Sequence, residues 1–136
     1  MTRRREKLLL QGAVAIASLV PITIGAAGVI EGVAILKGAS DAGAPDIDSH
    51  FRYLSGIFLV LGLAFASCVS AIENKTPLFR LLGAMVITGG LARGLSWVAV
   101  GAPSLGHRLG LVMELGVVPL LMLWQARVAR RCLPPA

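Results

Sequence analysis

Apolar residues run almost unbroken through four stretches, Leu8 to Leu36, Phe51 to Ile72, Leu78 to Val100 and Leu105 to Ala126, with short polar connections between them. A helix crossing the hydrocarbon layer of a bilayer needs about 20 apolar residues, and each stretch is long enough. Backbone groups find no water partner in that layer, so spanning segments close their hydrogen bonds as helices or as a closed barrel. The period-two alternation of a barrel strand is absent. The pattern therefore predicts an all-α, four-helix transmembrane bundle formed by one domain over residues 1–136.

Among the charged residues inside these stretches four stand out, one in each. Glu31 lies near the end of the first stretch, Arg52 at the start of the second, Arg93 inside the third and Glu114 inside the fourth. A lone charge near the bilayer centre costs about 2.5–3.5 kcal/mol even on the lowest scales, so such residues turn inward, pair and mark sites. At 100° per residue, Arg93 falls within about 60° of Gly90 and about 40° of Trp97 on one helix face. Glu114 shares a stripe with Gly110 and His107, Arg52 with Ser55 and Gly56, and Glu31 with Ala27 and Gly28. The sequence thus predicts a polar cluster under the outer surface, with Arg52, Arg93, Trp97, Glu114 and Glu31 as candidate ligand-binding residues. Tyr53, Ser55 and Ser96 follow as weaker candidates. The inner halves of the helices read as almost entirely apolar, and an ion pair between Arg93 and Glu114 is expected.

Composition agrees, with 56% hydrophobic and 15% charged residues. The formal charge of +6 is a topology signal. Nine of the 13 basic residues, Arg3, Arg4, Arg5, Lys7, Lys75, Arg80, Arg127, Arg130 and Arg131, fall on one side of a four-span arrangement. The excess of Lys and Arg on cytoplasmic loops then places both termini in the cytoplasm. Membrane lipids are the first expected partners, because basic ends attract anionic headgroups. No soluble basic face with base-reading residues is present, so no nucleic acid is expected. Thr2 to Arg5 and the apolar run after them look like a signal peptide, but the run continues to Leu36, past the roughly 7–15 residues of such a segment.

Gly28-x-x-x-Gly32, Gly90-x-x-x-Gly94, Gly106-x-x-x-Gly110 and Ser55-Gly56 offer small-residue faces through which membrane helices approach closely. Pro21 and Pro119 each remove a backbone donor inside a spanning helix and predict a bend with a loosened preceding turn. Thr76-Pro77 reads as an N-cap followed by a first-turn proline. Lys37 to Ser49 reads as an outer loop, with Asp48 or Ser49 capping the second helix. Cys68 is expected inside the second helix and Cys132 in the C-terminal tail, without a disulfide between them. His50 and His107 lack tight ligand spacing, so no metal site is expected. No motif for haem, nucleotide or acyl transfer appears, so no cofactor is expected and no enzyme signature is present.

Four segments, Asp48-Ser-His-Phe-Arg52-Tyr-Leu-Ser-Gly56, Thr76-Pro-Leu-Phe-Arg80-Leu-Leu-Gly83, Gly89-Gly-Leu-Ala-Arg93-Gly-Leu-Ser96 and Glu114-Leu-Gly116, resemble a bacterial family of short four-helix membrane proteins that is a domain of unknown function. The resemblance covers most of the chain after the first helix and matches Arg52, Gly56, Arg93 and Glu114. It implies the fold and a place in a bacterial cytoplasmic (inner) membrane, and it implies no activity. The architecture is also similar to small DoxX-like membrane proteins, without a redox motif. Three functions are compatible with these features. One is a structural or accessory membrane protein held by ion pairs. Another binds a small amphipathic ligand, a lipid or isoprenoid whose anionic head meets Arg52 or Arg93 and whose tail meets Trp97. The third is a membrane enzyme or proton-coupled carrier using Glu114 or Glu31. Four spans without an internal repeat leave little room for a transport pathway in a monomer, and a homo-oligomer or membrane-protein partner fits the same pattern.

Overall fold

The computed structural model describes residues 2–36 and 45–132, and among them every long element is a helix. Four helices are long and apolar enough to cross a membrane. Helix α1 (Arg3–Glu31) ends in a 3-10 turn (Gly32–Ile35). Helix α2 spans Pro45–Cys68, helix α3 spans Thr76–Val100, and helix α4 spans Leu105–Cys132 with a π turn at Met113–Val117. The apolar stretches are the middles of these helices. Their ends extend into charged sequence, where Glu6, Lys7, Asp48, Arg52, Arg127 and Arg131 meet counter-charges or helix-end groups.

Several boundaries differ from the sequence reading. Helix α2 begins at Pro45 rather than Phe51, since proline suits a first turn that has no use for its missing N–H, and Asp46 and Asp48 in that turn match the positive end of the helix dipole. Asp48 and Ser49 are therefore helical and not caps. The remainder of the expected outer loop, residues 37–44, lies outside the described residues. Thr76 is likewise the first helical residue, preceded by Lys75 at the cap position. Helix α4 continues to Cys132, which closes the helix instead of lying in a tail.

The described residues form two compact units. Gly12–Val69 is a helical hairpin of α1 and α2. Contacts between the two helices run antiparallel: as positions rise along α1 through Ile22, Gly25, Gly28 and Gly32, their partners fall along α2 through Gly62, Leu59, Ser55 and Arg52. Glycine sets this spacing. A Cβ on Gly25 would lie 2.6 Å from the Leu59 backbone nitrogen, and one on Gly62 would lie 2.9 Å from that of Ile22. Between helices in lipid such close backbone approach gives packing its strength, because apolar burial drives nothing there. Gly28-x-x-x-Gly32 thus lies on the contact face. Helix α1 stays α-helical through Pro21, and the Pro21 ring borders the Gly62 approach.

The other unit joins the first eleven residues to the chain from Ser70 onward. Here α3 and α4 are antiparallel: Gly83 faces Met122, and Gly90 faces Glu114 and Leu115. A Cβ on Gly90 would approach Leu115 Cδ2 to 2.8 Å and Glu114 Cβ to 2.9 Å. Phe79 and Leu82 of α3 and Val128 of α4 are buried, as is Leu10 of α1.

Candidate functional site

Arg93 and Glu114 meet across this α3–α4 seam. Arg93 Nε donates to Glu114 Oε2 and Nη2 to Oε1, both at 3.0 Å, the two-pronged arrangement for which a planar guanidinium is shaped. Two glycines make the pairing fit. Gly90, one turn before Arg93, lets the Glu114 Cβ come close, and Gly110, one turn before Glu114, lies 3.9 Å at its Cβ position from both Arg93 Cζ and Glu114 Oε1. The side chains keep 32% and 14% of their surface exposed. Counted at 1.5 Å per residue, Arg93 sits about 10 Å from the end of α3 and Glu114 about 14 Å from the start of α4. Both positions lie within the apolar depth of the helices.

Glu114 also sits in the π turn. The Val118 N–H donates to the Met113 carbonyl, five residues back. Pro119 explains this: it has no N–H, and its ring clashes with the carbonyl four residues earlier, so the ladder slips by one residue just before it. The loosening expected at Pro119 therefore takes a definite form, whereas Pro21 leaves no such mark on α1.

Arg52 has a different role from the one its sequence position suggests. Its Nε donates to Asp48 Oδ2 at 2.7 Å, one turn earlier on α2, and its Nη1 donates to the carbonyls of Val29 and Ile30 at 2.6 and 2.9 Å. Those carbonyls belong to the last turn of α1, where the regular i→i+4 ladder runs out. Asp48 Oδ1 accepts the Val33 N–H at 3.0 Å. Together Arg52 and Asp48 cap the end of α1. Gly32 makes the cap possible, with φ of +65° and a Cβ position filled by Asp48 Oδ1 and the Arg52 guanidinium. Glu31 is exposed and joins neither pair among the described residues. Trp97 is exposed one turn beyond Arg93, and Tyr53 is exposed with its ring 6.5 Å from that of His50. Ser55 is buried against Gly28, Ser96 is exposed, and His107 Nδ1 meets Ser104 Oγ at 2.9 Å.

The expectation of apolar inner halves is overturned at the end of this unit that carries both termini. Glu6, 4% exposed, accepts from Arg127 Nε at 2.8 Å and Arg131 Nη1 at 2.7 Å, so one carboxylate in the first turns of α1 ties two successive turns of α4. Lys7 Nζ donates to Glu73 Oε1 at 2.6 Å. The Lys7 ammonium holds Glu73 below the ordinary carboxylate range, against the opposing effect of burial. Gln125, 0% exposed, donates through Nε2 to the Ile72 carbonyl at 2.7 Å and to Thr76 Oγ1 at 2.8 Å. Its Oε1 and Glu73 Oε2 are buried without a hydrogen-bond partner among the described residues. Sequence reasoning missed Glu6, Glu73 and Gln125. The available signal was the placement of Glu6 and Glu73, each an acid amid basic residues at a helix end.

The family model described as Domain of unknown function (DUF4345) matches residues 9–125, and the chain belongs to that family. No curated protein and no solved structure matches it.

Proposed function

We propose that this member of the family is a small accessory protein of a bacterial cytoplasmic membrane, a single four-span domain whose embedded charges fasten its helices rather than carry out a reaction. The observation that supports this reading most is the two-pronged Arg93–Glu114 pair. Each charge in it is spent on the other, and each helix supplies a glycine to admit its partner. Arg52 supports the same view, since its donors go to Asp48 and the end of α1. A buried pair of this kind specifies an arrangement more than it adds net stability. A double-mutant cycle in detergent tests the reading with Arg93→Met, Glu114→Gln and the combination. Each single change should cost about 1–3 kcal/mol, less than the ~3–5 of a fully buried pair because Arg93 is partly exposed. The combination should cost clearly less than the sum. Additive losses would refute the fastening role.

One observation favours a second reading, in which the pair also holds the head of an amphipathic ligand. The π turn falls on Glu114 itself, and such turns occur often at functional sites. In this reading Arg93 and Glu114 contact the polar head, and Trp97 lies one turn away for its tail.

A further inference from the structure

The Arg93–Glu114 pair leaves hydrogen-bonding capacity open at a depth where water does not supply it. Arginine carries five N–H donors in a rigid fork. The bonds to Glu114 use the Nε–H and one N–H of Nη2. Among the described residues nothing accepts from the Nη1 amino group. The main chain has a matching deficit. Val118 donates to Met113, and Pro119 has no N–H to donate. The Glu114 carbonyl therefore lacks both its i+4 and its i+5 donor. One ion pair thus presents spare donors on its arginine and a spare acceptor on the main chain of its glutamate, inside segments where open polar groups are costly. Gly89 and Gly94, on the same stretch of α3, have nothing within 4 Å of their Cβ positions, so the helix surface there is open.

Charge selects what can meet these open groups. Glu114 already neutralises Arg93, so an entering anion would bring an unbalanced charge into a low-dielectric site and would meet the carboxylate. An uncharged head brings neither cost. We propose that the pair binds the head of an uncharged lipid bearing a hydroxyl beside an ester carbonyl. The ester oxygen accepts from Arg93, and the hydroxyl donates to the Glu114 carbonyl. This rests on the ligand-site reading given above and replaces the anionic head suggested by an arginine in isolation with a neutral one.

Dioleoylglycerol and dioleoylphosphatidate share a skeleton and differ in whether the third position carries a hydroxyl or a phosphate. Purified full-length protein in mixed micelles containing both at equal mole fraction, examined by native mass spectrometry, should retain the diacylglycerol about tenfold over the phosphatidate. Glu114→Gln leaves Arg93 without its counter-charge, and the order of retention should reverse. Retention of neither lipid by the unaltered protein overturns the ligand-site reading as a whole. Equal retention, or a preference for phosphatidate, overturns the neutral-head assignment alone. A Glu114→Gln protein that keeps the diacylglycerol preference does the same. If that variant does not fold, the comparison on the unaltered chain still decides.

Discussion

Arg52 and Arg93 carry the same side chain and do different work, and the difference lies in what each guanidinium meets. Arg93 meets a carboxylate on another helix, a partner legible in sequence because two opposite charges at similar depth in consecutive apolar stretches have few alternatives. Arg52 meets the end of α1, and that was not legible. The place where α1 stops depends on Gly32 turning to φ of +65°, a conformation that glycine permits and that no pattern of apolar positions reports. The same residue supplies a prediction. Gly32→Ala would place a methyl group where Asp48 Oδ1 and the Arg52 guanidinium now lie, and would force alanine into a left-handed conformation costing about 1–2 kcal/mol. With the cap bonds disturbed as well, the total loss should reach about 2–4 kcal/mol in thermal or denaturant unfolding in detergent. A Gly32→Ala protein as stable as the original would show that the cap contributes nothing.

Between helices, glycine decides which faces meet. Gly25, Gly28 and Gly62 admit backbone or side-chain atoms of the facing helix in the α1–α2 hairpin, and Gly83 and Gly90 admit the Met122, Leu115 and Glu114 side chains between α3 and α4. The i, i+4 glycine motifs announced close packing without saying which of their members are used. Gly94 and Gly106 belong to such motifs yet meet nothing within 4 Å. The π turn was half legible: Pro119 signals a disturbed ladder, but whether the helix kinks or gains a residue depends on what holds it on either side. Here the Arg93–Glu114 pair is made from the start of the turn itself, and the Gly83–Met122 contact and the Gln125 bonds lie after it. The π turn keeps both faces directed at α3. Deleting Gly116, whose Cβ position is open, together with Pro119→Ala should therefore yield a continuous α-helix with both faces still aligned. The altered protein should unfold at a temperature equal to or above that of the original, since a missing donor is restored and an open carbonyl closed. A large drop would mean that the π turn itself, rather than the two faces it joins, is required. Loss of retained lipid from a stable variant would connect the turn to the ligand.

For the whole molecule, the basic sequence at the chain ends matters twice, in stability and in orientation. Acid sensitivity should trace in part to Glu73. Its ionised form is favoured by Lys7 in the folded protein, so its contribution is complete above the ordinary carboxylate pKa and disappears as pH falls through the lower folded-state value. Stability in detergent should thus decline as pH falls below the ordinary carboxylate range, and Glu73→Gln should flatten that decline. An unchanged profile would remove Glu73 from the account. Orientation follows from the nine cations grouped with the two termini. Glu6 and Glu73 engage Lys7, Arg127 and Arg131; Arg3, Arg4, Arg5, Arg80 and Arg130 remain exposed. The positive-inside tendency depends on lysine and arginine near span ends and little on nearby acids, so these pairs do not weaken it. Both termini should therefore face the cytoplasm. The chain already holds a reporter, because Cys132 closes α4 half-exposed while Cys68 is buried in α2. In a Cys68→Ala background, a membrane-impermeant maleimide should label Cys132 in inverted membrane vesicles and leave it unlabelled in intact cells. Thr2→Cys, with Cys132 also replaced, should behave identically. Labelling of either position from outside would refute the orientation, and labelling of the two from opposite faces would refute the even number of spans.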